Sequence, residues 1–447
     1  MFSTWSSVTN VDSSVGPAEV EGASGRGFGA ATAPASDEAP EVVACGGQDG
    51  VGGVALGVRE VVSAMRCSDC MSAEQAVVTR DVLIVGAGLA GSAAATVLAR
   101  RGLSVTVIDP YAEFPPLFRA EKIEPDQAAL LQSLGLLDKV KQKTRVISEI
   151  IHGRAGRALR RRQIEQFGIS YCDIVNQVRA QIPEQVEFRL GRVEKITPDE
   201  SRPRVELADG SVCVGRLLIV ASGMTGRLPE QLGIEKRMVK EEVSMAFGLM
   251  LERTDGQVFP FDAVTYHTGT LADKVGYVTL FRMGNVMRAN IFAYWPAKDA
   301  STKELLREPA IALPRLLPGL DQLIGSYAVQ GKIEPFKIDL YRMQQCARAG
   351  MVLIGDAYQS VCPSTGMGLS KVLTDVDVLC NEFVPRWMAT GSIATSDVAA
   401  FYAHERKNAV DDRALHQALA GRDSVLATSL HWRVRRLVRA WRFAHGR

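Results

Sequence analysis

The residues with the plainest chemistry in this chain are three glycines and one carboxylate. Gly86, Gly88 and Gly91 stand in Gly86-Ala87-Gly88-Leu89-Ala90-Gly91, a G-x-G-x-x-G run, and Asp109 follows it. A bound dinucleotide needs what this spacing offers. Gly86 permits a tight turn, Gly88 lets the backbone approach a pyrophosphate, and Gly91 lets helix and strand pack closely. Leu89 and Ala90 open the helix, whose first N–H groups and positive dipole end face the phosphates. Asp109 sits where an acid accepts a hydrogen bond from a ribose hydroxyl. The flanking elements are those such a turn requires. Residues 82–85 are apolar and partly β-branched, as in a buried parallel strand, and 92–101 form an alanine-rich helical run. Gly102 stops the helix and residues 105–108 read as the next strand. A lone glycine run is an ordinary turn; in this setting it predicts adenine-dinucleotide binding.

A second strand–loop–helix unit lies more than 260 residues downstream. Residues 350–357 end a buried strand in Gly355-Asp356-Ala357. Cys362-Pro363-Ser364-Thr365-Gly366-Met367-Gly368 and a helical run at 369–380 follow. Glycines and a helix N-terminus are again offered to something anionic or electron-rich. One extended cofactor spanning both units reconciles them.

Between the two units the pattern changes. Pro115-Pro116 enforces a loop, and 127–137 and 169–182 carry helical spacing. Residues 186–190 and 191–196 read as strands, and Arg204–Leu207 with Val212–Val220 as a hairpin turning at Asp209-Gly210. Residues 217–220 run into Ala221-Ser222-Gly223. Strands at 245–252, 263–266, 275–281 and 287–295 then suggest a mostly antiparallel inserted sheet. The expected fold is α/β: a three-layer dinucleotide-binding domain (78–235 and 343–388), a substrate-binding sheet domain (236–342) and a helical segment (389–447).

With both motifs in this order, the chain resembles the FAD-dependent aromatic hydroxylase superfamily, which includes para-hydroxybenzoate and ubiquinone-pathway hydroxylases, over residues 78–388. The family's second motif, G-D-A-x-x-x-x-x-P-x-x-G-x-G, matches Gly355, Asp356, Ala357, Pro363, Gly366 and Gly368. The resemblance implies FAD, with its ADP half on Gly86, Gly88, Gly91 and Asp109 and its pyrophosphate near Arg119. It places Asp356 on the ribityl chain. The loop from Pro363 through Met367 to Gly368 would line the isoalloxazine, its N–H groups stabilising the negative charge of reduced flavin. The implied activity is hydroxylation of an aromatic, quinone-like or polyketide-like small molecule through a flavin C4a-peroxide. The implied electron donor is NAD(P)H, or a partner flavin reductase. Within the same fold, a halogenase or a prenyl-chain reductase is the alternative, and a flavin-binding protein without turnover is another. No Trp-x-Trp-x-Ile-Pro halogenase signature is present.

The chain departs from the family pattern at two places. Ser222-Gly223 stands where the family usually has Asp-Gly, a position linking flavin and pyridine-nucleotide contacts. Ala357-Tyr358-Gln359 replaces the family's Ala-Ala-His. No second G-x-G-x-x-G offers a nicotinamide domain, so the donor is expected to visit through a groove. No catalytic acid or base can be assigned. Tyr358 and Gln359, beside the flavin loop, are the substrate-pocket candidates. Tyr266, His267 and Trp295 fall on strands that could face the substrate, where Tyr and Trp read as core. Cys362 reads as a buried, inert thiol.

Composition narrows the rest. A formal net charge of +2 over 447 residues offers no global attraction for nucleic acid. No apolar run approaches the ~20 residues a bilayer span requires. The N-terminus lacks the pattern of a secretory signal. Eight cysteines in so long a chain suggest a reducing cytoplasm rather than a disulfide framework. Cys67 and Cys70 form a C-x-x-C with no second pair at zinc spacing, and no metal site is expected. Residues 1–77 read as a disordered extension, or as sequence upstream of a start at Met71. At the other end, residues 431–447 hold six arginines and no acid, with Leu430, Val434, Leu437, Val438 and Trp441 at helical spacing. Such a helix either docks on the catalytic domain or lies on an anionic membrane surface through 430–447.

Overall fold

Val82, Leu83 and Ile84 are fully buried, as are Leu217, Leu218, Ile219 and Val220, and runs this apolar belong inside a sheet covered on both faces. The computed structural model describes residues 79–444 except 120, 225–226 and 269, with side chains described to 438. The expected extension 1–77, with Cys67 and Cys70, lies outside the described residues.

Among the described residues, Thr79–Val85 is central in a seven-stranded sheet, parallel to Val105–Asp109 on one side and Val212–Val220 on the other. Met351–Leu353 pairs parallel with the far end of Val212–Val220. Val85 and Leu353 are both register partners of Val220, so three strands end level. The helix Leu89–Arg100 buries Ala93, Ala94 and Ala95, whose small side chains let it lie close on the sheet. The hairpin turns at Gly210, in the left-handed region at φ +82°, as its Asp-Gly pair predicts.

Among the described residues the second sheet has eight strands, in the order Tyr327–Gln344, Glu235–Arg253, Val286–Ala293, Val275–Met283, Ala263–His267, Arg145–Arg154, Arg157–Gly168, Lys122–Ile123. All neighbours are antiparallel except Ala263–His267 with Arg145–Arg154. Two expectations need correction. Residues 145–168, expected within the dinucleotide-binding half, form a hairpin of this second sheet, so the sheets do not follow the expected boundary at 235. The 127–137 helix is broken into Pro125–Ser133 and Leu137–Lys141, because Gly135 adopts φ +68°.

The two sheets are stitched beside the second motif. The Met343 amide donates to the Tyr358 carbonyl at 2.9 Å, and the Ser360 amide to the Tyr341 carbonyl at 3.2 Å. Beneath lies an interior ionic joint between the helices Gly368–Val378 and Glu405–Leu426. Lys371 donates to Asp375 at 2.6 Å and stands 3.6 Å from Asp411; Lys407 donates to Asp411 at 2.6 Å and stands 3.3 Å from Asp375. All four side chains are buried. Burial works against the charged form of Lys371, but Asp375 and Asp411 outweigh it and raise its pKa. The joint also grips the motif: Lys371 donates to the Gly355 carbonyl at 3.1 Å, and Asp375 accepts from the Gly355 amide at 2.9 Å. No described helix is long and apolar enough to cross a membrane.

Removing one partner of a buried pair strands a charge, so Lys371→Met is expected to lower unfolding free energy by about 3–5 kcal/mol. Lys195→Met, which breaks an exposed pair with Glu206, is expected to cost under about 1 kcal/mol. Urea unfolding at neutral pH compares them directly, and equal losses would show that the buried joint is not what holds these helices.

Candidate active site

The glycines of the first motif do different jobs. Gly86 has φ +96°, and a Cβ there would lie 2.5 Å from the Ala221 carbonyl oxygen. A Cβ at Gly91 would lie 1.8 Å from the Gly86 oxygen, so no side chain fits. Gly88 has an ordinary extended backbone and a Cβ there would meet nothing within 4 Å. The space in front of it is open. Asp109, buried, accepts from the Ala87 amide at 2.6 Å and the Tyr111 amide at 2.9 Å, holding the turn in shape. Arg179 completes the arrangement, 3.3 Å from the Asp109 carboxylate, donating to the Ala87 carbonyl at 2.7 Å and the Tyr111 carbonyl at 2.8 Å. Sequence reasoning missed Arg179, which lies 92 residues from Ala87 and carries no motif of its own.

The second motif touches the first. A Cβ at Gly355, where φ is +62°, would lie 3.3 Å from the Ala90 Cβ. The Tyr341 hydroxyl donates to the Asp356 carbonyl at 2.6 Å. Burial raises the Asp356 pKa, opposed by the charges of Arg119 and Lys371. The Pro363–Thr365 turn leads to Gly366 at φ +68°, and neither Gly366 nor Gly368 has anything within 4 Å of an added Cβ. Behind the loop, Gln127 donates to the Gly366 carbonyl at 2.7 Å and the Met367 amide donates to the Thr365 hydroxyl at 3.1 Å. The loop is therefore braced behind and open in front. The first N–H groups of Gly368–Val378 lie outside that helix's own ladder.

Two buried polar atoms show what the open side fits. Among the described residues, Nη1 of Arg119 and Oγ of Ser222 are buried without a hydrogen-bond partner. The Arg119 guanidinium lies 3.9 Å from the centre of the Phe336 ring, beside Asp356. A buried cationic donor left unsatisfied is costly unless an anion meets it. Arg119, the open Gly88 turn and the two helix N-termini fit a pyrophosphate with an organic group at each end. The residues present therefore fit FAD.

The substrate-side expectations fare differently. Tyr358 is buried with its ring stacked on Tyr402 at 4.9 Å, and the Lys407 ammonium lies 3.8 Å from its centre. Gln359, fully buried, accepts from Arg342 at 2.5 Å and donates to the Asp411 carbonyl at 2.9 Å. Both side chains are taken up by the protein interior toward the Glu405–Leu426 helix, so their expected place on the substrate pocket is corrected. Tyr266 donates to the Pro318 carbonyl at 2.5 Å and Trp295 to the Asp273 carbonyl at 2.6 Å, both as core. His267 stacks on His152 at 6.2 Å. The Cys362 thiol lies 3.2 Å from Ser244 and 3.0 Å from Ser364, and burial pushes its pKa up.

A different set of residues meets the Pro363–Gly368 loop, from the second sheet and from the segment before Lys122–Ile123. Phe118, Phe292 and Cys362 share an apolar cluster with Tyr277 and Phe336 against it. The Tyr277 hydroxyl donates to the Ser364 carbonyl at 2.5 Å. Beside Phe118, buried Glu121 accepts from buried Arg288 at 2.7 Å, and Arg288 also pairs with Glu334 at 2.8 Å. Burial pushes the Glu121 carboxyl up and Arg288 opposes it. The one available sequence signal was Glu121 itself, a charge two residues beyond Arg119.

The glycines give a sharp contrast to measure. Gly88→Val is expected to unfold within about 1 kcal/mol of the parent yet purify without flavin absorbance, since its Cβ enters only the open space. Gly91→Val is expected to fail to fold. Retained flavin in a folded Gly88→Val protein would contradict the placement of the pyrophosphate.

Comparison with known proteins agrees with this geometry. The model of the FAD binding domain family matches residues 79–414. Ubiquinone hydroxylase UbiL of Rhodospirillum rubrum is 24% identical over 335 residues, covering 68% of this chain and 72% of that one. Two solved structures share the fold. p-Nitrophenol 4-monooxygenase PnpA of Pseudomonas putida matches at a TM-score of 0.65 and 19% identity, over 80% of this chain and 92% of its own. The flavin-dependent brominase Bmp2 matches at 0.60 and 18%, over 80% and 93%. With both motifs touching and a family match over most of its length, the chain belongs to the FAD binding domain family and is an FAD-dependent oxidoreductase of the aromatic-hydroxylase fold.

Proposed function

We propose that this FAD-dependent monooxygenase hydroxylates an aromatic, quinone-like or polyketide-like small molecule lying between the flavin loop and the second sheet. The observation that carries the reading is the face that sheet turns to the loop, aromatic through Tyr277, Phe292 and Phe336, with Phe118 packed beside them. Flat rings pack on such a surface by offset or edge-to-face contact. Tyr277, through its bond to Ser364, ties the sheet to the loop and excludes water from the seam. The buried Arg288–Glu121 pair supplies the polar end that would orient a phenol or quinone oxygen. Bound FAD supplies the two-electron reduction and oxygen activation that the transfer needs. NAD(P)H is the proposed donor, visiting the open side, with a partner flavin reductase as the other source.

Halogenation and prenyl-chain reduction are the readings nearest to this one, and the brominase Bmp2 shares the fold. The aromatic face favours a ring over a long chain, and the sequence has no Trp-x-Trp-x-Ile-Pro segment.

The test is anaerobic reduction of the bound flavin by NADH and by NADPH, followed by absorbance, with and without candidate phenols. The expected outcome is direct reduction by one nucleotide, faster by about tenfold or more with an accepted phenol, since ligand-gated reduction commits the enzyme to its substrate. A flavin that neither nucleotide reduces, with any phenol, would overturn the single-component reading and point to a separate reductase.

A further inference from the structure

We propose that the C-terminal helix Leu430–Ala444 is a docking surface for an anionic bilayer. An amphipathic helix at the end of a chain normally buries its apolar stripe against the domain. This one does the reverse. Its inner side is held by Arg436, which donates to the carbonyls of Ser424 at 3.3 Å, Val425 at 3.2 Å and Ala427 at 2.5 Å. Those carbonyls close the preceding helix, where a cation meets the negative dipole end. Trp432 and Arg435 are half-buried, the guanidinium 5.4 Å from the indole centre. The stripe faces outward: Leu430 is 74% exposed, Val434 49%, Leu437 70% and Val438 44%. The docked arrangement of that stripe, one of the two sequence expectations, is therefore not the one adopted.

Charge identifies the occupant. Arg433, exposed, flanks the stripe, and residues 431–447 carry six arginines and no acid. The whole chain has a formal net charge of only +2, so the remainder is net acidic, whereas this segment carries basic residues with no acid to offset them. A nucleic acid would meet the arginines but leave Leu430 and Leu437 in water. A lipid surface meets both needs, acyl chains taking the leucines and valines while anionic headgroups take the flanking arginines. The contact is peripheral, and it does not depend on which reaction the flavin site performs.

The experiment is co-sedimentation of the full-length holoprotein with vesicles of phosphatidylcholine alone and of phosphatidylcholine mixed with phosphatidylglycerol. The expected result is binding to the mixed vesicles only, weakened by high salt. In the double variant Val434→Asp, Leu437→Asp, partition should fall by about tenfold or more, with flavin absorbance and thermal unfolding unchanged. In a second variant, Arg433→Glu, Arg439→Glu, preference for the anionic vesicles should disappear. Vesicle binding unaltered by the aspartates overturns the proposal. So does equal binding to both vesicle types. A parent protein that ignores vesicles but dissociates from dimer to monomer on the Leu437→Asp change would assign the stripe to a second copy instead.

Discussion

The structure depends on a register. Thr79–Val85, Val212–Val220 and Met351–Leu353 run parallel, and Val85 and Leu353 both face Val220 across the sheet. The consequence is geometric: the chain leaves all three strands at the same edge, as Gly86, Ala221-Ser222 and Ile354-Gly355. The Ala221 amide donates to the Val85 carbonyl at 2.8 Å and the Ile354 amide to the Val220 carbonyl at 3.1 Å, carrying the pairing to the brink of each turn. Ligands of open parallel sheets gather at this carboxyl edge. Here it brings two motifs more than 260 residues apart into contact, Gly355 against Ala90. A slip of one residue in either pairing would move every side chain to the opposite face, mismatch its packing and part the motifs.

Charge then fixes what the register has brought together. Asp109 and Arg179 shape the first turn from behind, and Lys371 with Asp375 grips both main-chain groups of Gly355. In each case buried charges satisfy each other and the backbone, leaving the front of the turn free. Arg119 lies beside Asp356, and its Nη1 is buried without a hydrogen-bond partner among the described residues. A buried cationic donor beside the Gly355–Ala357 turn fits an anionic group of the cofactor. The second sheet closes the same space from the far side, with Tyr277 and Phe336 making the contacts.

What was legible in the sequence was local. The valine and isoleucine runs, the glycine spacings and Asp109 declare themselves because turn, helix start and acid lie within one βαβ unit. What escaped was long-range or disguised. Arg157–Gly168 is a strand whose first residues, RALRRR, are charged and mostly exposed, so no apolar alternation marks it. Gly135 interrupts a leucine pattern that otherwise reads as one helix. Arg179 acts on a turn 92 residues away. Tyr358 and Gln359 stand next to the flavin loop in sequence, but the Gly355–Ala357 turn aims them at the helix behind it. Nearness along the chain placed their backbone, not their side chains.

The central claim is that one molecule of FAD spans both motifs. Titration of the flavin-stripped protein with FAD, FMN and ADP tests it most directly. If both units contribute, FAD binds tighter than either half by about a thousandfold or more, as expected when two linked contacts are made by one ligand, and ADP competes with it. FMN binding as tightly as FAD would contradict the account, because the Gly86–Gly91 turn and Asp109 would then contribute nothing to holding the cofactor.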